Sequence, residues 1–195
     1  MPIAKCEFLA QCDGKMRIFD DLHRRIEEIL PSAGLDDTVT KKGRITMTWR
    51  MQGKTAVITG GASGLGLEFA RRYIEAGMHV ALADRNRDSL NAAEQELTAL
   101  ADADVHIMAE QCDVSDADQM QEFCDAVYTK FDAVHCLMNN AGMGLPVGAP
   151  WESRDALQET MAINLGGVIN GCHSFIPKML EGGQSASRIA MAPGI

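Results

Sequence analysis

Three features are scarce or absent in this 195-residue sequence, and each absence narrows its function. No run of apolar residues approaches the roughly 20 that a membrane span requires. Lys and Arg form no clustered stripe, and after residue 52 only nine of them stand against nineteen Asp and Glu. Nucleic-acid phosphates and anionic membrane surfaces are bound through clustered positive charge. The sequence therefore predicts no nucleic-acid partner and no membrane partner.

Close cysteine pairs are also missing. The six cysteines include no Cys-x-x-Cys motif and are too sparse for a disulfide scaffold, so we interpret them as reduced thiols and predict no metal site. The first twenty residues mix Glu7, Asp13 and Asp20 with basic residues, unlike a signal or transit peptide. These features favour a cytoplasmic location.

The sequence divides into two parts of different character. In residues 1–50, apolar residues follow a helical stripe only over 18–30, where Pro31 ends the pattern. We interpret 1–50 as an N-terminal extension, helical at 18–30 and otherwise irregular. Met51 is a natural start for the second part, 51–195, and Met47 is another candidate.

From Lys54 onward, short apolar segments alternate with amphipathic helical segments. Gly77 stands where a left-handed residue closes the first helix, and Ser115 with Asp118 resembles a capping box. The order indicates an α/β fold with a Rossmann-like, doubly wound parallel sheet, incomplete at its C-terminal end. Strands are predicted at 55–59, 78–83, 105–109, 134–138 and 188–192, and a long helix at 155–176.

A glycine-rich segment, Thr-Gly-Gly-Ala-Ser-Gly-Leu-Gly over 59–66, lies between the first strand and the helix that follows. Strand, turn and helix in this order are typical of a phosphate-binding loop. Glycine lets a pyrophosphate approach the backbone, and the helix N-terminus offers unpaired N–H groups and partial positive charge. The segment predicts a dinucleotide site at Thr59, Gly60, Ser63, Gly64, Leu65 and Gly66.

The glycine spacing and several later segments resemble the short-chain dehydrogenase/reductase family. The turn matches that family's Thr-Gly-x-x-x-Gly-x-Gly pattern, and residues 139–142 match its Asn-Asn-Ala-Gly segment. Asp113 and Val114 resemble its adenine contact, and Ile-Asn-Leu-x-Gly places Asn164 on its long helix. In such enzymes this Asn holds the water of a proton relay. The resemblance also implies cofactor contacts from Asn140, Ala141 and Gly142.

The residue that ends the second strand bears on which dinucleotide would bind. Asp84 lies eighteen residues after Gly66, where a carboxylate can accept hydrogen bonds from the adenine ribose and would repel a 2′-phosphate. This position favours NAD as the cofactor. Arg85 and Arg87 could still bind a phosphate, so NADP remains the alternative.

The catalytic residues of that family are missing from the sequence. The family uses a Tyr whose pKa is lowered by a Lys four positions later, because a Tyr near pKa 10 is a poor base at neutral pH. Neither of the two tyrosines, Tyr73 and Tyr128, begins a Tyr-x-x-x-Lys motif. In one alignment, residues 185–192 form the fifth strand and the motif lies further on. In the other, residues 184–188 replace the motif after a deletion and two substitutions.

Three functions remain open. The first is an NAD-dependent oxidoreductase whose full-length relatives interconvert a secondary alcohol and a ketone, with little or no hydride transfer by this chain alone. The second is a non-catalytic nucleotide-binding or interaction protein that docks through the helix 155–176, which in the family commonly packs against another subunit and could here form a homo-oligomer. The third is a truncated fragment without function.

Overall fold

A computed structural model of the chain describes residues 38–39, 45–46, 51–144, 153–182 and 188–191. The chain forms two compact units, Met1–Arg50 and Met51–Ile195. In the first unit, strands β1 (Thr38–Val39) and β2 (Ile45–Thr46) pair in antiparallel fashion. The helix predicted at 18–30 lies outside the described residues.

The second unit alternates strands and helices along the chain. Its strands are β3 (Thr55–Thr59), β4 (His79–Asp84), β5 (Ile107–Gln111), β6 (Cys136–Asn139) and β7 (Arg188–Met191). Its helices are α1 (Gly64–Glu75), α2 (Arg87–Leu100), α3 (Ala117–Lys130), α4 (Arg154–Met161) and α5 (Gly167–Glu181). A π-helical turn, Ala162–Gly166, joins α4 to α5. In the described part of the chain, no helix has both the length and the apolarity needed to cross a bilayer.

Among the described residues of this unit, five strands form one parallel sheet in the order β5-β4-β3-β6-β7. The chain runs outward from β3 to β5, then crosses back to the other side of β3 for β6 and β7. Such a reversal places a crevice between the carboxyl ends of β3 and β6, where ligands bind in open α/β sheets. The predicted doubly wound parallel sheet is confirmed.

Apolar side chains on both faces of the sheet hold the helices in place. All five residues of β3 are buried, as expected for a central parallel strand. Its successive side chains point to opposite faces. Val57 belongs to the cluster that contains Phe123 of α3 and Phe175 of α5. Ile58 belongs to the other cluster, which contains residues of α1 and α2. Continuous burial on both faces thus makes β3 the centre of the unit.

Two local predictions have different outcomes. Gly77 has φ +77 and its N–H donates to Ile74 O, so the predicted left-handed end of α1 is confirmed. The predicted capping box is wrong. Asp116 is the N-cap of α3, and its carboxylate accepts from the N–H groups of Asp118 and Gln119. The helix begins at Ala117, so Ser115 lies one residue before the N-cap position, and its hydroxyl donates to Asp113 Oδ1 at 2.7 Å.

The long predicted helix is present as α4, the π-helical turn and α5. Ser153 caps its start by accepting from Ala156 N. Beyond it, β7 pairs in parallel with β6, with Arg188 opposite Cys136. Because Arg188 lies in a strand of the sheet, the alignment that makes the last residues a fifth strand is favoured over the one that places them in a Tyr-x-x-x-Lys helix.

Candidate functional site

A cavity of about 380 Å³ lies at the carboxyl ends of the central strands. Eleven of the thirteen residues predicted to contact a cofactor line it, while Thr59 and Gly66 do not. The lining also includes four residues that the sequence did not single out. The lining residues are Gly60, Ser63, Gly64, Leu65, Asp84, Arg85, Cys112, Asp113, Val114, Asn140, Ala141, Gly142, Met143, Gly144 and Ile163.

Glycine is required twice in the turn between β3 and α1. Gly60 has φ +63, and a Cβ at this residue would lie 2.8 Å from the Cα of Ala141. Gly66 packs so closely on the carbonyl oxygen of Gly60 and on Nδ2 of Asn140 that no Cβ fits there. The turn therefore brings α1 directly against the segment after β6.

The N-terminus of α1 lacks the side-chain cap that its neighbours have. Ser63 is the N-cap residue, but its side chain accepts no hydrogen bond from the first turn, which also contains no acidic residue. In contrast, Asn86, Asp116 and Ser153 cap α2, α3 and α4 through their side chains. First-turn N–H groups of α1 at the cavity thus remain available to an anion, in the position where the helix dipole favours negative charge.

Thr59 and Asn140 join the turns after β3 and β6. Thr59 Oγ1 accepts from the N–H groups of Asn140 at 3.1 Å and Ala141 at 3.0 Å. In return, Asn140 Nδ2 donates to the carbonyl oxygens of Thr59 at 3.0 Å and Gly60 at 3.1 Å. Both side chains are buried. Thr59 therefore holds together the two turns that line the cavity without lining it itself.

Asp84 ends β4 with both carboxylate oxygens engaged by backbone. Oδ2 accepts from Ala62 N of the glycine turn at 3.1 Å, and Oδ1 accepts from Asn86 N at 3.0 Å. A carboxylate oxygen can accept two hydrogen bonds, so each retains capacity for a further donor. Arg85 lines the cavity beside it, whereas the Nε of Arg87 donates to Gln111 Oε1 at 3.3 Å.

A second wall follows β5. Asp113 Oδ1 accepts from the N–H of Ser115 at 2.9 Å, and Val114 is buried against α5. Asn170 Nδ2 donates to Val114 O at 2.9 Å, and a Cβ on Gly167 would lie 2.6 Å from Val114 Cγ2. Sequence reasoning missed Asn170 and Gly167, because nothing in their spacing indicates contact with a residue more than fifty positions earlier.

Asn164 lies in the π-helical turn and binds the main chain of Met143. Its Oδ1 accepts from Met143 N at 2.8 Å, and its Nδ2 donates to Met143 O at 2.9 Å. This pair of hydrogen bonds fixes the segment that follows the Asn-Asn-Ala-Gly turn, next to the cavity residue Ile163. The proton-relay role of Asn164 stays a prediction.

Two groups with raised pKa values, Cys112 and Tyr128, are unsuited to catalysis. Burial, with the nearby charge of Asp113, raises the pKa of the cavity residue Cys112 to about 12, so its thiol stays protonated. Burial likewise raises the pKa of Tyr128 to about 12, and its ring packs against Phe175. Neither group is activated as a nucleophile or base at neutral pH.

Comparison with known proteins identifies relatives of the second unit. Residues 54–191 match the family model described as short chain dehydrogenase. The chain is 34% identical over 142 residues to D-threitol dehydrogenase of Mycolicibacterium smegmatis, a match that covers 73% of this chain and 54% of that protein. It is 31% identical over 144 residues to 1-deoxy-11-beta-hydroxypentalenate dehydrogenase of Streptomyces exfoliatus, covering 73% and 51%.

A solved structure extends the similarity to three dimensions. The chain resembles a short-chain dehydrogenase/reductase of Burkholderia phymatum, crystallised in complex with NAD, with a TM-score of 0.68 and 33% sequence identity. The match covers 74% of this chain and 50% of that one. The chain thus spans about half the length of the relatives it matches. Since the family model matches more than two thirds of the sequence and the sheet has the same architecture, the chain belongs to the short-chain dehydrogenase/reductase family of oxidoreductases.

Proposed function

We propose that this chain binds NAD in the cavity and supplies the cofactor-binding part of an oxidoreductase that interconverts a secondary alcohol and a ketone. One observation carries the proposal. The glycine turn, Asp84 and Asp113 come from three different strand ends and line a single cavity. A phosphate site, a ribose acceptor and a base-recognition residue are the three elements that a dinucleotide requires at the edge of such a sheet.

Each part of the cavity suits one part of the dinucleotide. The uncapped N-terminus of α1 would bind the pyrophosphate through N–H groups near Gly64 and Leu65. Asp84 would accept from the adenine ribose hydroxyls with the capacity that Ala62 and Asn86 leave free. Asp113 and Val114 would bind the adenine, and Asn140, Ala141 and Gly142 would contact the nicotinamide half. When bound, NAD supplies the hydride acceptor.

The preference for NAD over NADP rests on the charge of Asp84. A carboxylate at the ribose would face the 2′-phosphate of NADP and repel it. Arg85 offsets part of this repulsion because it also lines the cavity. The proposal is therefore a preference in affinity rather than exclusion of NADP.

The 195-residue chain alone would perform little or no hydride transfer. It contains no Tyr-x-x-x-Lys motif. Tyr128 is no substitute, since its pKa is raised rather than lowered. A coupled assay with NAD⁺ or NADH and a panel of secondary alcohols and ketones tests this part, and turnover above the buffer background would contradict it.

Binding is tested separately by thermal unfolding of the purified full chain with and without NAD⁺ or NADP⁺. A ligand that binds only the folded state adds about 2.7 kcal/mol when present at 100 times its Kd. We expect a cooperative transition that NAD⁺ raises more than NADP⁺ does. A cooperative transition that neither dinucleotide moves would contradict cofactor binding, and the absence of any transition would favour the interpretation as a functionless fragment.

A second candidate function, assembly with another copy of the chain, is favoured by the surface of α4 and α5. Met161, Leu165 and Ile169 recur every four residues and are 53–57% exposed. Apolar side chains at this spacing lie along one side of a helical segment. Together they form an apolar strip that a second copy could cover.

Light scattering coupled to size-exclusion chromatography tests this assembly. We expect a dimeric or larger mass that Ile169→Asp reduces to the monomer. Leu100→Asp is the matched control, because Leu100 is also 56% exposed but lies on α2. A monomeric wild-type chain at micromolar concentration, or equal effects of the two substitutions, would contradict assembly through this strip.

A further inference from the structure

Gln111, the last residue of β5, contacts the turn after β4 and the first residue of α2 through the two ends of its side-chain amide. Its Oε1 accepts from Arg87 Nε at 3.3 Å, and its Nε2 donates to Arg85 O at 3.0 Å. The strand register places Gln111 directly beside Asp84. One exposed side chain thus links the two arginines that follow Asp84 to the neighbouring strand.

The two arginines are placed differently with respect to the cavity. Arg85 is among the cavity residues, whereas Arg87 is not. Arg87 begins α2 only three residues after Asp84, and its Nε donates to Gln111 of β5. A guanidinium is the side chain best suited to bind a 2′-phosphate, which it can do through two parallel hydrogen bonds.

We infer that Gln111 is a positioning residue for cofactor selectivity: it holds Arg87 against β5 and so lowers the affinity of the chain for the 2′-phosphate of NADP. The inference rests on the proposed function, since it concerns the ribose end of the same cavity. Asp84 repels the phosphate by its charge, and Gln111 withholds a cation that would attract it. Gln111 itself lines no part of the cavity.

Replacement of Gln111 by residues of similar length distinguishes loss of both hydrogen bonds from loss of the donor alone. Gln111→Met removes both hydrogen bonds and frees Arg87. Gln111→Glu keeps an acceptor for Arg87 and strengthens it by charge. Binding of NAD⁺ and NADP⁺ to each full-length variant is measured by titration calorimetry.

An exposed charge contact is worth at most about 1 kcal/mol, so we expect Gln111→Met to raise NADP⁺ affinity about two- to fivefold while NAD⁺ affinity stays within about twofold. Gln111→Glu should leave NADP⁺ affinity unchanged or lower it.

A double-mutant cycle assigns the effect to Arg87. In the background of Arg87→Gln, the change Gln111→Met should leave the ratio of NADP⁺ to NAD⁺ affinity unaltered, because no guanidinium remains to be released. Gln111 and Arg87 are both exposed, so these variants should keep the wild-type unfolding temperature.

Three results would overturn the inference. The first is an unchanged affinity ratio in Gln111→Met, and the second is a gain in NADP⁺ affinity that persists when Arg87 is absent. In both cases NAD⁺ binding by the wild-type chain would leave the proposed function standing. The third is a folded wild-type chain that binds neither dinucleotide, which would overturn the proposed function and this inference together.

Discussion

Thr59 and Asn140 each satisfy backbone groups of the other's turn: the Thr59 hydroxyl accepts from two N–H groups after β6, and the Asn140 amide donates to two carbonyl oxygens after β3. Both side chains are at most 5% exposed. Water cannot reach these buried groups unless the turns after β3 and β6 separate. The pair therefore makes the position of the glycine turn depend on the position of the Asn-Asn-Ala-Gly segment.

Loss of the Thr59 hydroxyl should destabilise the fold. Thr59→Val keeps the side-chain volume but leaves the N–H of Ala141 without its acceptor and weakens the bonding of Asn140 N, for a cost of about 1–3 kcal/mol. Urea unfolding measures the change. Thr59→Ser is the control, since it keeps the hydroxyl and should retain more of the stability. Equal losses for Val and Ser would show that the methyl group, rather than the hydroxyl, is what the site requires.

Two glycines of the same turn should respond to alanine for different reasons. A Cβ at Gly66 would collide with the carbonyl oxygen of Gly60, so Gly66→Ala must displace α1 or the turn. Gly64 has no neighbour within 4 Å of an added Cβ, and Gly64→Ala incurs only the strain of φ +55, about 1–2 kcal/mol. We expect Gly66→Ala to lower the unfolding temperature more than Gly64→Ala does. The reverse order would contradict the close packing described for Gly66.

Removal of the Asp84 charge should weaken NAD⁺ binding and reduce the discrimination against NADP⁺. Asp84→Asn loses the repulsion of a 2′-phosphate, and its amide can accept from only one of the two N–H groups of Ala62 and Asn86. We expect NAD⁺ affinity to fall about tenfold or more, equivalent to about 1.4 kcal/mol, measured by calorimetry. The control Asp88→Asn changes the same charge at a residue outside the cavity lining, and it should leave both affinities near the wild-type values. A similar loss in both variants would mean that net charge alone is responsible.

His79 should make the stability of the fold depend on pH. Its Nδ1 accepts from His106 N, and its ring stacks on those of His106 and Phe131. Burial, followed by the charge of His106, lowers the pKa of His79 below the ordinary 6.5. The unfolded chain then binds a proton more readily than the folded one. The contribution of neutral His79 to the free energy of unfolding is complete above pH 6.5 and is lost as the pH falls through the folded-state pKa.

The replacement His79→Gln isolates this contribution, since Gln does not titrate in the range. Urea unfolding between pH 5 and pH 7.5 should show that the free energy of unfolding depends more steeply on pH in the wild-type chain than in the variant. The difference in slope would report the proton that His79 binds on unfolding. Parallel curves would show that other groups account for the acid sensitivity.

The parts of the site that depend on the order of neighbouring residues along the chain could be predicted from the sequence. Glycines between a strand and a helix can be predicted from spacing, and the run 55–59 predicts a central strand because it contains no charged residue and its three middle residues are apolar. The position at the end of the second strand assigns Asp84 to the cofactor site, whereas Asp113 is assigned by the family resemblance of the segment after the third strand. Their convergence on one cavity follows from the sheet order.

Contacts between distant side chains could not be predicted in this way. The hydrogen bonds of Asn164 to Met143, and of Asn170 to Val114, depend on how the helical segment after the fourth strand packs on the sheet. The choice of Asp116 over Ser115 as a cap depends on where the helix begins, since Asp116 lies directly before its first residue, Ala117. Such choices are settled by small differences among available partners, which a single sequence does not specify.

The bonds between Thr59 and Asn140 also have a consequence for the order in which the chain can fold. The two residues are 81 positions apart, and the segment between them contains three strands, β4, β5 and β6, and three helices. Closure of such a long loop has an entropic cost. The contacts that offset this cost form only when β6 docks beside β3. We therefore expect the cavity to form late in folding, so that a bound ligand would report that the two halves of the sheet have joined.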